Sequence, residues 1–181
     1  MKNLYTVFLC LFTVFVINAQ ERYLTKSGQI TFFSESPLEN IEAKNNQVLS
    51  IVDASKKQMA ISILMKSFMF EKALMQEHFN ENYVESDKYP KATFRGKILN
   101  FETISNTESK VQVKGKITIH GVTKELTVET LAKKKDDAIY MKGSFFITLS
   151  DFGVEIPSVV EKNIAKQIKI SFNFNHQPFK K

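Results

Sequence analysis

The sequence predicts an all-β protein with a single domain, in which about eight antiparallel strands surround an apolar interior. Apolar and polar residues alternate along most of the chain, so each strand has one apolar face and one face in water. The alternating segments are short, and turn sequences such as HGVTK at 120–124 and KKKDD at 133–137 separate them. Strands of a parallel α/β sheet would instead be apolar on both faces.

Eight segments show this alternation. In QIKISFNFN at 167–175 every even-numbered residue is apolar, and in KVQVKGKITIH at 110–120 the inward positions are odd-numbered. A closed barrel and a two-sheet sandwich both produce this pattern, so periodicity alone does not choose between them. The predicted strands are 29–34, 47–53, 58–65, 91–98, 110–120, 124–131, 139–149 and 167–175.

Two segments interrupt the strands. FEKALMQEHF at 70–79 places its apolar residues near one helical face, which predicts a short amphipathic helix. PSVVEKNIA at 157–165 begins with a proline at a suitable first helical position, which predicts a turn or two of helix. No repeat, linker or low-complexity block is present, so we expect one domain over 20–181.

The N-terminal residues 1–19 have the layout of a secretory signal peptide. Lys2 supplies a positive charge, 4–17 is an apolar run short for a membrane span, and the small Ala19 precedes polar residues. We expect cleavage near Ala19 or Gln20 and a periplasmic or secreted mature protein. An uncleaved N-terminal anchor is the alternative.

Cysteine content and charge exclude several functions. The sole cysteine, Cys10, lies in the segment expected to be removed, so we expect neither disulfides nor thiol catalysis. The net charge is +6, but most of the lysines are spread along the chain, and Arg22 and Arg95 are the only arginines. Arginine is preferred for bidentate contacts with phosphates and bases, so we expect no nucleic acid and at most peripheral membrane contact. A solvated, lysine-rich exterior explains the charge.

The sequence contains no motif of a catalytic or metal site. It has no G-x-S-x-G elbow, glycine-rich phosphate loop or H-E-x-x-H motif. His78, His120 and His176 are far apart, and we interpret them as a surface, a turn and a chain-end histidine. Asp151 is interpreted as an acceptor of backbone hydrogen bonds at a strand end rather than a catalytic carboxylate. We therefore expect no enzymatic activity, metal or cofactor.

The composition is compatible with an interior that holds a ligand. The chain has 16 phenylalanines, six methionines and no tryptophan. Phenylalanine and methionine make an adaptable apolar lining that suits a flexible hydrocarbon. An ordinary filled core has the same composition, and composition alone favours the filled core.

Three blocks of sequence resemble signature blocks of the YceI-like family. They are KYPKATFRGKI at 88–98, VKGKITIHGVTKELTVE at 113–129 and ITLSDFGVEIP at 147–157, in the order in which that family has them. MQEHF at 75–79 resembles the helical block that precedes the tyrosine–proline pair. The resemblance runs from Gln29 to Phe174. The sequence departs from the family pattern at three places. The segment between His78 and Tyr89 is one residue short, and the residues differ near Met75 and Gln76 and at Thr148 and Leu149. These departures leave open which residues would contact the head group of a ligand.

The resemblance implies an extended, lipocalin-like antiparallel barrel of eight strands with one or two short helices, and so favours a barrel over a sandwich. It further implies an exported protein that binds and transports an isoprenoid or other long-chain lipid, such as a polyisoprenoid quinone, in its lumen. No cofactor other than the lipid is expected, and a homodimer remains open. The inward residues expected to contact lipid are Phe32, Ile61, Ile63, Met65, Phe94, Ile117, Ile119, Ile147, Ile170 and Phe172.

The predicted helix at 70–79 would cover one mouth of the barrel, with Phe70, Leu74, Met75 and Phe79 as lid residues. It would act either as a gate for the ligand or as a fixed plug. Two other functions stay open: an enzyme that acts on such a lipid inside the barrel, and a filled structural or partner-binding barrel. An enzyme needs titratable groups deep in the lumen, and the predicted inward pattern has almost none.

Overall fold

The computed structural model describes residues 21–179, so the predicted signal peptide lies outside the described residues. Eight long strands hydrogen-bond in the order β1-β9-β8-β7-β6-β5-β3-β2, and β1 also pairs with β2, which closes the sheet into an antiparallel barrel. The predicted barrel is therefore confirmed. The strands are β1 Arg22–Glu35, β2 Asn40–Asp53, β3 Gln58–Leu64, β4 Met69–Phe70, β5 Lys91–Ile98, β6 Ser109–Ile119, β7 Val122–Lys135, β8 Ala138–Thr148 and β9 Gln167–Phe179.

Several strand bounds follow the alternation closely, and the starts of β1 and β2 are the main exceptions. Strand β2 begins at Asn40, seven residues before its predicted start at Gln47. Strand β1 begins at Arg22, seven residues before its predicted start at Gln29. Its register with β2 shifts on either side of Gly28. Such irregularities insert residues that break the period of two, so Lys26 and Ser27 are both exposed and the sequence pattern is lost there. The strand β4 is only two residues long, too short to leave a pattern.

The helical segment begins later than predicted. Helix α1 spans Ala73–His78 and continues into a π-helical turn at Phe79–Tyr83. Phe70 belongs to β4, where it pairs with Ala43 of β2, so the prediction of a helix from residue 70 is wrong. The predicted helix at 157–165 is a single short 3₁₀ turn at Ser158–Val160. No helix within residues 21–179 is long and apolar enough to cross a membrane.

The two ends of the barrel differ in packing. The end where β1 begins, here the floor, is filled by large side chains with almost no exposure. The opposite end, here the mouth, carries α1, the β6–β7 hairpin and the long connection between β8 and β9. The fully buried side chains below the middle of the barrel include Val48, Val52, Ile98, Val111, Ile139, Met141, Phe174 and His176.

Candidate functional site

A cavity of about 310 Å³ occupies the mouth half of the barrel. Inward-facing side chains from all eight long strands contribute to its wall, and nearly all of them are apolar. Its volume is at the lower end of the ~300–1,000 Å³ found for small-molecule pockets. An apolar ligand would therefore exchange water for hydrocarbon and aromatic contacts on all sides.

All ten predicted lumen residues lie on the cavity wall. Met65, Phe94 and Ile117 are buried, whereas the other seven keep part of their surface accessible. Inward apolar side chains in a filled core would be fully buried, so this partial exposure reflects the unfilled interior. The ten residues are Phe32, Ile61, Ile63, Met65, Phe94, Ile117, Ile119, Ile147, Ile170 and Phe172.

Sequence reasoning missed the part of the wall that comes from connections. Phe68, Tyr83 and Val84 precede β5, and Leu149 and Val154 follow β8. These residues lie in irregular or short helical segments, where no periodicity shows which side chains point inward. The remaining wall residues outside the predicted set that lie on strands are Ile30, Ser34, Ile41, Met59, Ala92, Thr93, Val113, Leu126, Val128, Thr130, Phe145, Ile168 and Phe174, together with Phe70 of the predicted lid.

Two glycines keep the lower cavity open. The rings of Phe172 and Phe174 stack with their centroids 5.3 Å apart. A Cβ on Gly143 would lie 2.8 Å from Cζ of Phe172, and one on Gly28 would lie 2.6 Å from Cδ1 of Phe174. Both rings can therefore lie against the wall over a glycine instead of projecting across the lumen.

A cluster of phenylalanines holds the segment from β4 to α1 over the mouth. The Phe32 ring on β1 lies 5.4 Å from each of the Phe68, Phe70 and Phe79 rings, between ring centroids. Such aromatic pairs stabilise beyond the area that they bury. The lid therefore packs on the barrel through apolar contacts that a ligand entering the mouth would disturb.

Three of the four predicted lid residues line the cavity, and the fourth does not. Phe70, Met75 and Phe79 face it, whereas Leu74 is 61% exposed and absent from the wall. Because the helix begins at Ala73, its inward face is set by the i, i+4 pair Met75 and Phe79, which turns Leu74 to the solvent. The assignment of Leu74 to the lid contact is therefore wrong.

His120 joins the three connections around the mouth. Its Nε2 lies 2.7 Å from a carboxylate oxygen of Glu85, and its Nδ1 lies 3.2 Å from the carbonyl oxygen of Phe152. The Tyr89 ring packs edge-on against the imidazole at 4.5 Å between centroids. The hydrogen bond from His120, with Lys88 nearby, lowers the pKa of Glu85. Residues of all three signature blocks thus meet at one imidazole.

His176 lies buried in β9, which corrects the interpretation of it as a chain-end histidine. It is fully buried, with Nε2 2.8 Å from the Ser50 hydroxyl and Nδ1 3.1 Å from the carbonyl oxygen of Ile139. Because a carbonyl only accepts, Nδ1 donates to it and Nε2 accepts from Ser50. Burial lowers the pKa of His176 to about 4. Neither Ser50 nor His176 lines the cavity, from which the Phe174 ring separates them.

The other histidine and the aspartate that the sequence raised as candidates both lie at the surface. His78 is exposed at the cavity mouth on α1. Asp151 is also exposed, in the 3₁₀ turn after β8. Within residues 21–179 no group of three or more histidine, cysteine, aspartate or glutamate side chains is placed to hold a metal ion.

Several solved structures share this fold. A polyisoprenoid binding domain from Saccharophagus degradans, implicated in plant cell wall breakdown, aligns with a TM-score of 0.77 at 12% identity, over 88% of this chain and 99% of its own. Burkholderia cenocepacia BcnA aligns with a TM-score of 0.70 at 20% identity, over 82% of this chain and 95% of its own. A Campylobacter jejuni YCEI protein aligns with a TM-score of 0.50 at 19% identity, over 72% and 78%.

No curated protein matches the chain. The model of the YceI-like domain, in contrast, matches residues 17–176, which include the whole cavity and the His120 contacts. The match therefore covers all eight long strands except the last residues of β9. The chain belongs to the YceI-like domain family.

Proposed function

We propose that this protein binds a long isoprenoid-type lipid in its cavity and carries it outside the cytoplasm. The observation that carries the proposal is the apolar cavity inside a closed barrel, with a wall of phenylalanine, isoleucine and methionine side chains. A structural neighbour is described as a polyisoprenoid binding domain, which agrees with a ligand of this class.

Apolar burial alone supplies enough free energy for binding. A long isoprenoid chain that buries several hundred Å² gains several kcal/mol at ~25 cal/mol per Å², before the cost of lost motion. Met59, Met65 and Met75 lie on the wall, and their flexible side chains can adapt to a branched chain. The lipid therefore needs no specific polar contact to stay bound.

Binding agrees better than catalysis with the groups around the cavity. The hydroxyl of Ser34 accepts a hydrogen bond from the backbone N–H of Ala165, so its wall position has a structural role. The buried Ser50–His176 pair lies between the cavity and the floor of the barrel, where a ligand in the cavity would not reach it. We therefore propose a carrier that leaves its lipid chemically unchanged.

Export belongs to the same proposal and rests on the layout of residues 1–19. The mature protein would work in the periplasm or be secreted. Intact-mass measurement of exported material should show the loss of about twenty residues. Recovery of the full-length chain in the inner membrane would contradict export.

Titration of delipidated protein with prenyl lipids in dilute detergent tests the binding. We expect saturable binding of one lipid per chain, and we expect a prenyl alcohol and a prenyl quinone with equal tails to bind with similar affinity because the tail dominates. A clear preference for the quinone would identify it as the ligand and add a head-group contact. Absence of binding by any prenyl lipid to folded protein would contradict the proposal.

A further inference from the structure

Four cations form a block on the outer wall of β5 and β6. Arg95 pairs with Lys116 and Lys97 pairs with Lys114 in the register of the two strands, on either side of the pair Gly96 and Gly115. All four cationic side chains are exposed. Directly paired residues share one face of the sheet, so two pairs of like charge stand next to each other. We call these four residues the basic block.

The basic block is electrostatically unfavourable as it stands. Like charges directly opposite each other on neighbouring strands destabilise a sheet. None of the four cations forms an ion pair with another residue in 21–179, whereas nine other lysines in that range do. Glu125 pairs with Lys116 in the β6–β7 register but forms no ion pair with it. Within 21–179 the repulsion is thus not offset by an ion pair to any of the four cations.

The register that creates the block is fixed from inside the barrel. A Cβ on Gly96 would lie 2.5 Å from the carbonyl oxygen of Lys114 and 2.9 Å from Cα of Gly115. Only glycine at both positions allows this approach of the two backbones. A slip of one residue would bring side chains into this contact and turn the apolar residues of the strand outward. The opposed cations therefore cannot separate by sliding.

Exposed apolar side chains lie closer to the mouth than the block, on the strands β2 to β4. Leu64, at the end of β3, is 44% exposed and pairs with the exposed Lys91 of β5. Met69, on β4 at the rim, is 62% exposed, and Leu49 of β2 is 36% exposed. The outer wall thus carries unpaired cations over β5–β6, and exposed apolar side chains near the rim over β2–β4, where Lys44 and Lys66 are ion-paired.

We infer that this wall docks the barrel on an anionic phospholipid surface, with the basic block over the head groups and Leu64 and Met69 entering the interface at the rim. Lysine-rich patches respond to the diffuse negative potential of such a surface, and neighbouring apolar side chains add to the attraction. One arginine among four cations suits this potential better than the bidentate contacts of nucleic acid.

The cations around the mouth are less clustered. Lys66, Lys72, Lys88 and Lys166 each pair with a carboxylate. Three exposed lysines near the mouth form no ion pair within 21–179, but they lie on three separate segments of the chain: Lys91, Lys124 and Lys162. The cations of the basic block instead occupy adjacent register positions on the side wall, below the rim formed by β3, β4 and β5. Docking there would place the cavity mouth beside the bilayer. The inference rests on the proposed function in one respect: docking would serve to transfer a lipid between the bilayer and the cavity.

Vesicle flotation tests the docking without any isoprenoid lipid. We expect the mature protein to float with vesicles of phosphatidylcholine containing about a third phosphatidylglycerol, and not with pure phosphatidylcholine, and we expect high salt to release it. Arg95→Glu combined with Lys116→Glu should weaken binding about tenfold or more, because it replaces two cations that the surface attracts with two anions that it repels.

The matched control is Lys26→Glu combined with Lys169→Glu. These exposed lysines on β1 and β9 lie on the opposite wall, form no ion pair with a residue in 21–179, and change the net charge equally. Vesicle binding of this variant should stay within about threefold of the unmodified protein. Equal losses in both double variants, or equal binding to neutral vesicles, would overturn the inference. Capture on a polyglutamate resin without vesicle binding would also overturn it and assign the block to an acidic protein.

A second readout separates this inference from the proposed function. The Arg95→Glu, Lys116→Glu variant should bind prenyl lipid from detergent with unchanged affinity, and should take the same lipid from anionic vesicles about tenfold more slowly. Loss of binding in detergent for every variant contradicts the lipid-binding proposal instead. Equal rates of uptake from vesicles would overturn the docking inference while leaving lipid binding intact.

Discussion

The Nε2 atom of His176 lies 2.8 Å from the hydroxyl oxygen of Ser50, in a hydrogen bond that is fully buried in the lower half of the barrel. Burial is the main reason that the pKa of His176 falls from 6.5 to about 4, although its hydrogen bond to the Ile139 carbonyl raises the value slightly. The folded protein therefore holds this imidazole neutral, while the unfolded chain takes up a proton at mildly acidic pH.

The first prediction is a loss of stability in acid. Because the pKa of His176 is lower in the folded state, its contribution is complete above about pH 6.5 and declines as the pH falls towards 4. Relative to a His176→Gln variant, the wild-type free energy of unfolding should fall by about 3 kcal/mol over this range. Guanidinium unfolding followed by circular dichroism at several pH values measures the difference. His78→Gln, at an exposed histidine, should keep the wild-type pH dependence; a similar change in both variants would contradict the assignment.

The second prediction concerns His120 at the mouth. His120 has φ = 49°, and asparagine tolerates this left-handed backbone, so His120→Asn removes the imidazole contacts without forcing the turn. Loss of the contacts to Glu85 and Phe152 should lower the free energy of unfolding by about 2 kcal/mol. Hydrogen exchange should accelerate at 79–90 and at 149–154 together, because one ring joins both segments.

The control for His120 is Lys88→Gln. Lys88 lies 3.6 Å from the Glu85 carboxylate, and both side chains are substantially exposed. An exposed ion pair contributes at most about 1 kcal/mol, so this variant should change stability by less than half as much as His120→Asn. Faster exchange in only one of the two segments would show that His120 does not couple them.

The third prediction tests the cavity wall. Ile119 faces the cavity, while its neighbour Thr118 faces outward and shares a hydrogen bond with Thr123. Ile119→Asp places a charge in an apolar site and should abolish measurable lipid binding, whereas Thr118→Asp should leave the affinity unchanged within about threefold. Circular dichroism confirms that each variant is folded before titration. Unchanged affinity in a folded Ile119→Asp protein would show that the ligand lies elsewhere.

The fourth prediction separates a gate from a plug. Met69 of β4 pairs with Lys44 of β2, and both side chains are exposed, so cysteines at these positions lie within the usual range of a disulfide. If the segment from β4 to α1 opens to admit lipid, oxidation of the Lys44→Cys, Met69→Cys variant should slow lipid uptake about tenfold or more, and reduction should restore it. Uptake that is equally fast in both redox states would identify the segment as a fixed plug.

The sequence was sufficient for the regular parts of the barrel strands and much of the cavity wall. The strand at 91–98 has the same bounds in the prediction and in the structure, because its alternation is unbroken. Phe94 and Ile117, assigned to the lumen from that alternation and its counterpart in β6, are register partners on the cavity wall. Where a strand alternates regularly between apolar and polar residues, the sequence alone shows which side chains point inward.

The sequence was insufficient wherever position depends on partners across the barrel. Ser50 and His176 are 126 residues apart, and nothing near either residue indicates that they meet. Arg95 and Lys116 appear in the sequence as scattered surface cations, and only the β5–β6 register brings them together. The outward turn of Leu74 depends on where α1 begins, a boundary that local propensity defines poorly.

Organic extraction followed by mass spectrometry tests the central claim most directly. Protein purified without detergent from its own host should release a single class of prenyl lipid, close to one molecule per chain and with the mass of the unmodified lipid in the host membrane. The Ile119→Asp protein, purified in parallel, should release little or none. Empty wild-type protein that also fails to take up prenyl lipid on incubation, or equal lipid in both preparations, would contradict the account of the cavity as a lipid-binding site.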